Sequence, residues 1–366
     1  MSSFSRTVAA VVGALLLLTM VAGATSMSRG PQQQGISFDS EALTQLQGQR
    51  ILLTGNQALS DSSAEGVVLD PPAEFRASVE GSTLVIELTQ LLRFRQEYRI
   101  VAAGVRGVST PATADWAASV TTADGNLLFA QPGDGGIDIL QTSAHDVRAE
   151  TVIRSLVPDP GAEITALLDL GTAAAAIVSP SPEGGSALII APLDGSPPNT
   201  VRLPVRGWVS ALVFDPVEAR LEFDVTPVAA DSSAVPERWG ISTTNTLAAE
   251  RVASSEDAVP DAKPRTTEAP PETRGPAGTA LESIDNRVVN GAGQIVYTPA
   301  DEALRIAAVC PSANGQFAAV RLEPRVPGEP SAADAATSYV VIAADGTSVR
   351  SISATAVSWC AEPHRG

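Results

Sequence analysis

From Ile51 onward the chain is written in short aliphatic and β-branched runs cut by Gly, Pro, Asn and Asp, which restricts it to an all-β fold. The first runs are ILLTG (51–55), GVVLD (66–70), FRASVE (75–80), STLVIEL (82–88), YRIVAAGV (98–105) and WAASVTT (116–122). Apolar and polar residues alternate within them and turn residues return about every 8–12 positions, the pattern of two packed antiparallel sheets. Glu80-Gly81, between two of these runs, predicts a tight hairpin turn.

After Thr122 the rhythm changes and repeats. AEITALLDLGTAAAAIVSP (162–180), GWVSALVFDPVEARLEFDVTP (207–227) and LRIAAVCPSANGQFAAVRLEP (304–324) each read as strand, turn and strand. Two of them continue into a third strand and an Asp-Gly turn, SALIIAPLDGS (186–196) and TSYVVIAADGT (337–347), and then into short strands at 199–205 and 348–353. A four-stranded unit recurring about every 40–50 residues predicts a small β-propeller of about five blades. The fourth, around RVVNGAGQIVY (287–297), is the least regular. SATAVSWC (353–360) has an inner-strand pattern without a following partner, whereas ADGNLLFAQPGDGGIDIL (123–140) lacks a preceding one. Joined, the two complete the first blade and hide its free edge.

The stretch from VVLDPPAEFRASVEGSTLVIEL through EYRIVAAGVRG to ADWAASVTT resembles the bacterial Ig-like domains of S-layer and other cell-surface proteins, over about residues 36–122. That resemblance implies a spacer or adhesive module, with Tyr98 and Trp116 as core or corner aromatics. The repeats resemble the broad propeller families with a Ser-Pro-Asp-Gly-like inner turn, of which Cys310-Pro311-Ser312-Ala313-Asn314-Gly315 is the nearest version. The expected organisation is a signal peptide or membrane anchor over 1–30, a sandwich with a short stalk over 31–122, and a propeller-like domain over 123–366.

Residues 7–24, TVAAVVGALLLLTMVAGA, form an uncharged apolar run behind Arg6, the mark of an exported chain. The run fits a signal peptide cleaved near Ala24, and equally an anchor whose 18 residues, at about 1.5 Å each, nearly span a bilayer core of roughly 30 Å. No cysteine lies near it to carry a lipid. Basic residues number 24 against 41 acidic, a net charge of -17, and Lys263 is the sole lysine. The arginine preference points to a GC-rich bacterial genome. The acidic balance argues against nucleic acid, which is held by clustered Lys and Arg. Residues 252–279 hold five prolines and almost no large apolar side chain, so a disordered surface insertion is expected there. The stretch 325–337 reads as a smaller version of it, and the polar stretch 26–48 reads as the stalk.

Few residues invite chemistry. Cys310 and Cys360 are the only cysteines, and outside the cytoplasm an even count means a disulfide; two buried thiols are the alternative. No CxxC or HxxxH spacing supports a metal site, and no cofactor is expected. His145 and His364 sit in apparent turns or tails and read as solvated residues. The Asp-Gly pairs at 124–125, 134–135, 194–195 and 345–346 read as turn chemistry rather than calcium loops. The expected function is an extracytoplasmic envelope protein without catalytic activity that presents its propeller to a protein or glycan partner. The alternative is an extracytoplasmic carbohydrate-active enzyme using a pair of carboxylates in the propeller channel. Trp208, Trp239 and Trp359 are the only tryptophans of the repeat region, few for a sugar cleft.

Overall fold

The structure, a computed structural model, describes residues 11–16, 30–145, 150–156, 161–181, 184–215, 218–228, 235–243, 249–252, 280–325, 338–347 and 349–360. It is all-β, built of antiparallel sheets, and divides into two compact units, Met1–Ala123 and Asp124–Gly366.

In the first unit, seven strands follow the alternation of the sequence: β1 (Gln33–Ser37), β2 (Arg50–Gly55), β3 (Val67–Asp70), β4 (Phe75–Glu80), β5 (Thr83–Leu88), β6 (Glu97–Arg106) and β7 (Thr113–Thr121). They form one sheet in the order β1-β2-β5-β4 and another in the order β3-β6-β7. Because successive strand residues face opposite sides, Ile51 and Leu53 of β2, Leu84 and Ile86 of β5, and Tyr98, Ile100 and Ala102 of β6 all enter one core. Each of the leucines and isoleucines contributes about 1.5–3 kcal/mol when fully buried. The β4–β5 turn is the two residues Gly81-Ser82, closed by the pair Glu80↔Thr83, and Gly81 supplies the positive φ of 62° at the first central position.

The stretch expected to be a stalk instead belongs partly to this unit. Residues 33–37 are the edge strand β1, and Leu43, on the helical turn Ala42–Gln45, is fully buried in the core. The Asp39 carboxylate accepts the N–H groups of Glu41 and Ala42, both at 3.0 Å, and so starts that turn. A polar segment carrying only the scattered anchors Ile36, Phe38 and Leu43 has no periodicity to reveal this. Of the apolar run 7–24, residues 11–16 are helical and the rest lies outside the described residues. Among the described residues no helix is long and apolar enough to cross a membrane.

Among the described residues the second unit contains five sheets. The first consists of β8 (Asn126–Gly133), β9 (Gly136–Ser143), β10 (Thr151–Leu156) and β26 (Ala356–Val357), in the order β10-β9-β8-β26. The second is β11 (Glu163–Asp169), β12 (Ala173–Ser179), β13 (Ala187–Pro192) and β14 (Asn199–Thr200); the third is β15 (Gly207–Asp215), β16 (Arg220–Pro227), β17 (Glu237–Ser242) and β18 (Glu250–Arg251). A three-stranded fourth sheet follows, β19 (Leu281–Ile284), β20 (Arg287–Asn290) and β21 (Ile295–Tyr297), and the fifth is β22 (Leu304–Pro311), β23 (Phe317–Pro324), β24 (Ser338–Ala343) and β25 (Val349–Ser353). Sheets two to five each run in chain order from one edge to the other. The repetition extends to irregularities, since β11, β15 and β22, the leading strands of three sheets, all carry a register shift. The expected insertion lies outside the described residues from 253 to 279, as do residues 326–337.

Packing between sheets explains the unalternating run AAAAIVS of β12. Ala174, Ala176 and Val178 face the first sheet, while Ala175 and Ile177 face the third, so the strand is apolar on both sides. A further core joins the fourth and fifth sheets through Leu281, Val288, Val320 and Val340.

Candidate functional site

The sequence-predicted cysteine pair organises the junction between the first and fifth sheets. Cys310 and Cys360 form a disulfide with Cα atoms 5.1 Å apart. Cys310 lies on β22, as expected for an inner strand, but Cys360 does not lie on β26; it ends the 3₁₀ turn Ser358–Cys360 that follows. The strand stops because Ser358 replaces its backbone with its side chain: next to the pair Val357↔Phe129, the Ser358 Oγ accepts the Leu128 N–H at 3.1 Å. Trp359 continues the substitution by donating its indole N–H to the Asn126 carbonyl at 3.1 Å. On the other side of the stop, the Thr355 N–H reaches the Ala130 carbonyl at 2.8 Å. Residues 355–360 therefore cover the edge of β8 with only two paired strand residues.

Beside the disulfide, the turn from Cys310 to Gly315 is internally satisfied. The Ser312 N–H bonds the Phe317 carbonyl at 2.8 Å, and the fully buried Asn314 accepts the Gln316 N–H and the Ser312 hydroxyl, each at 3.1 Å. Gly315 takes a φ of 69° that a side chain would oppose.

His145 is exposed, as its reading as a solvated residue expects, yet it also has side-chain partners. Its Nδ1 lies 2.6 Å from Asp124 Oδ1, its ring meets Phe317 edge-on at 4.8 Å, and its side chain is 28% exposed. Asp124 precedes β8 and His145 follows β9, so the first sheet's hairpin brings them together, and Phe317 begins β23 of the fifth sheet. A signal existed in the sequence: Asp124 lies ten residues before Asp134 and His145 ten after Gly135, symmetric about the hairpin turn. The cluster does not have the order of a hydrolytic triad. The Ser143 hydroxyl donates to the Asp124 carboxylate at 2.5 Å, not to the imidazole, and also accepts the His145 N–H at 3.1 Å. It is a clamp between sheets. On the outer side of the same junction, Arg350 of β25 pairs with Glu150. His364 lies outside the described residues.

Two of the Asp-Gly turns use their carboxylates locally. Asp194 accepts the Ser196 N–H at 2.8 Å, and hydrogen bonds from Ser196 hold its carboxyl below the ordinary range. Asp345 accepts both the N–H and the hydroxyl of Thr347, at 2.9 and 2.6 Å, in the matching turn of the fifth sheet. Among the described residues no group of three or more His, Cys, Asp or Glu side chains is placed to hold a metal ion.

No protein-family model matches the chain, and no curated protein matches it. Among solved structures, TolB from Acinetobacter baumannii is similar at 10% identity over 79% of this chain and 69% of that one, with a TM-score of 0.28. An oligogalacturonate lyase in complex with manganese is similar at 10% identity over 88% of this chain and 74% of that one, with a TM-score of 0.21. The C-terminal WD40 domain of Sif2 gives 10% identity, coverages of 90% and 88%, and a TM-score of 0.21. Likenesses of this size decide neither the fold nor the activity of this chain.

Proposed function

We propose that this chain is an extracytoplasmic, envelope-associated binding or scaffold protein without catalytic activity, in which an Ig-like sandwich carries a five-bladed, propeller-like unit that docks a protein or glycan. The observation that carries the reading is the Cys310–Cys360 disulfide fastening β22 of the fifth sheet to the turn that follows β26 of the first sheet, because such bridges persist in oxidising compartments. The Ig-like reading draws on the strand orders β1-β2-β5-β4 and β3-β6-β7, which match the seven-stranded immunoglobulin arrangement. It draws also on Tyr98, near the start of β6, whose hydroxyl accepts the Arg93 N–H at 3.1 Å as a tyrosine corner does. The propeller reading draws on the completion of the first sheet by β26, a closure that removes open edges.

Crosslinking on intact bacteria of the native host, with capture of this chain and mass spectrometry, tests the reading. A stoichiometric partner on the outer side of the cytoplasmic membrane is the expected result. A cytoplasmic chain with reduced cysteines, or a purified chain that cleaves an envelope polymer, would overturn it.

A further inference from the structure

A strand at the edge of a sheet offers a row of backbone N–H and C=O groups to any other strand, and folds blunt such edges with bulges or charged side chains. This chain does so almost throughout. On β1, β10, β11, β15 and β22 a register shift puts the extra residue on the edge strand itself. Edge strands β4 and β25 carry Arg76 and Arg350, and the edges β3, β14, β18, β19, β21 and β26 are no longer than four residues. Among the described strands β7 is the exception. It runs nine residues at the edge of the order β3-β6-β7 and holds no Lys, Arg or Pro. Its one register shift against β6 puts the extra residue on β6, between Ala102 and Val105.

Backbone direction fixes what that edge offers. The Ala103 N–H bonds the Gly66 carbonyl at 3.0 Å, so odd-numbered residues of β6 turn their backbone to β3 and even-numbered ones turn theirs to β7. The partners of the latter are Trp116, Ala118 and Val120, and the Thr122 N–H continues the series by donating to the Gln96 carbonyl at 3.1 Å. The N–H and C=O groups of Asp115, Ala117, Ser119 and Thr121 therefore point away from the sheet, and they have no backbone partner among the described residues. The side chains of these four are exposed, whereas Trp116 and Val120 are buried. Gly30 closes the beginning of the strand: a Cβ on it would stand 2.5 Å from the Thr113 carbonyl carbon, so the open stretch starts at Asp115.

We infer that this edge pairs with the same edge of a second copy of the chain, antiparallel about a two-fold axis at Ala118, to make one continuous sheet in the order β3-β6-β7-β7-β6-β3. The inference is independent of the binding reading above. A two-fold contact requires a segment that complements its own reverse. Centring on Ala118 sets Asp115 of one copy opposite Thr121 of the other and Ala117 opposite Ser119, so all four outward-pointing residues find a partner and each opposed pair exchanges two bonds. Centring on Ala117 would need Thr113, where Gly30 already lies, and centring on Ser119 would need Ala123, whose N–H is bonded to the Ser40 carbonyl at 3.0 Å. In the chosen register Asp115, the one charged side chain of the strand, faces a hydroxyl and not its own copy. Ala117 and Ala118 at the centre leave no bulky side chain to hold the two backbones apart.

The test is sedimentation equilibrium of the purified full chain at concentrations from about 1 μM to about 1 mM, where the mass is expected to rise toward that of two chains. Ala117→Pro removes one outward N–H and no bond to β6, as a proline on an edge strand can, and is expected to raise the dissociation constant about tenfold or more. Thr121→Asp sets like charges opposite each other twice in the dimer and is expected to raise it about threefold or more, whereas Thr121→Lys, opposite Asp115, is expected to leave it as low or lower. Calorimetry of each variant separates loss of pairing from loss of fold, and if the proline variant loses the first unit's transition the two Thr121 variants decide alone. A chain that stays monomeric throughout overturns the proposal, as does a dimer that a folded Ala117→Pro chain keeps unweakened. Equal effects of Thr121→Asp and Thr121→Lys overturn it as well.

Discussion

Replacing both cysteines, Cys310→Ser with Cys360→Ser, measures what the junction between the first and fifth sheets contributes. The bridge closes a loop with a sequence separation of 50, which in the chain-entropy relation removes about 14 cal/mol/K from the unfolded ensemble, or about 4 kcal/mol at 25 °C. For a unit of this size about 1 kcal/mol moves the midpoint by about 2–4 °C, so the second unit's transition is expected about 8–16 °C lower. Differential scanning calorimetry of the full chain reads this directly, and reduction of the wild-type chain by a dithiol is the matching chemical perturbation. The first unit has no cysteine and its transition is expected to stay in place. Hydrogen exchange adds a local readout, because the amides of Leu128 and Thr355, bonded between β8 and the segment 355–360 that ends in Cys360, should lose protection before those of β12. A fall below about 4 °C, or an equal fall in both transitions, would refute the claim that the bridge holds this junction.

Tyr98→Phe leaves the Arg93 N–H without its hydroxyl acceptor and is expected to cost the first unit about 1–3 kcal/mol in urea denaturation; a change within error would remove the tyrosine from any structural role. Gly55→Ala places a Cβ 2.7 Å from the Trp116 ring and should cost about 1–3 kcal/mol, whereas Gly35→Ala meets nothing within 4 Å and should be close to neutral in the same assay. Tyr339 is held above its ordinary pKa of 10.0 by burial, against an opposing pull from Arg321. Its contribution is therefore complete below pH 10 and lost as pH rises through the raised value, so Tyr339→Phe should flatten the alkaline limb of a stability profile. An unchanged limb would show that other groups govern it.

Strands β2, β3, β4 and β7 of the first unit could be read directly because they are half-buried on one face and alternate; β2, β4 and β5 deviate by at most one residue from the sequence runs. β1 could not, since Gln33–Ser37 contributes one apolar side chain to a polar stretch. The disulfide was legible from cysteine count and the repeat, but the turn that carries Cys360 depends on Ser358 competing with its own backbone for Leu128. The His145 clamp required knowing the exact hairpin register, and the Phe317 contact required knowing which sheets adjoin. On β15 the alternation of GWVSALVF misleads, because the register shift around Ala211, at a φ of 54°, sends Leu212 inward and Val213 outward. Without that bulge the positions of Trp208 and Val213 on one charged face could not be read from the letters.

The joining of β26 to β8 also sets an order of events in synthesis. Leu128 waits for a serine 230 residues downstream, so the first sheet of the second unit is the first to be made and the last to be finished. Contacts of such separation are slow to form because the intervening chain must be ordered or looped first. Until residues 355–360 arrive, β8 presents a bare edge to any passing strand, which makes the interval between its emergence and its capping the period when the chain most needs protection from its neighbours.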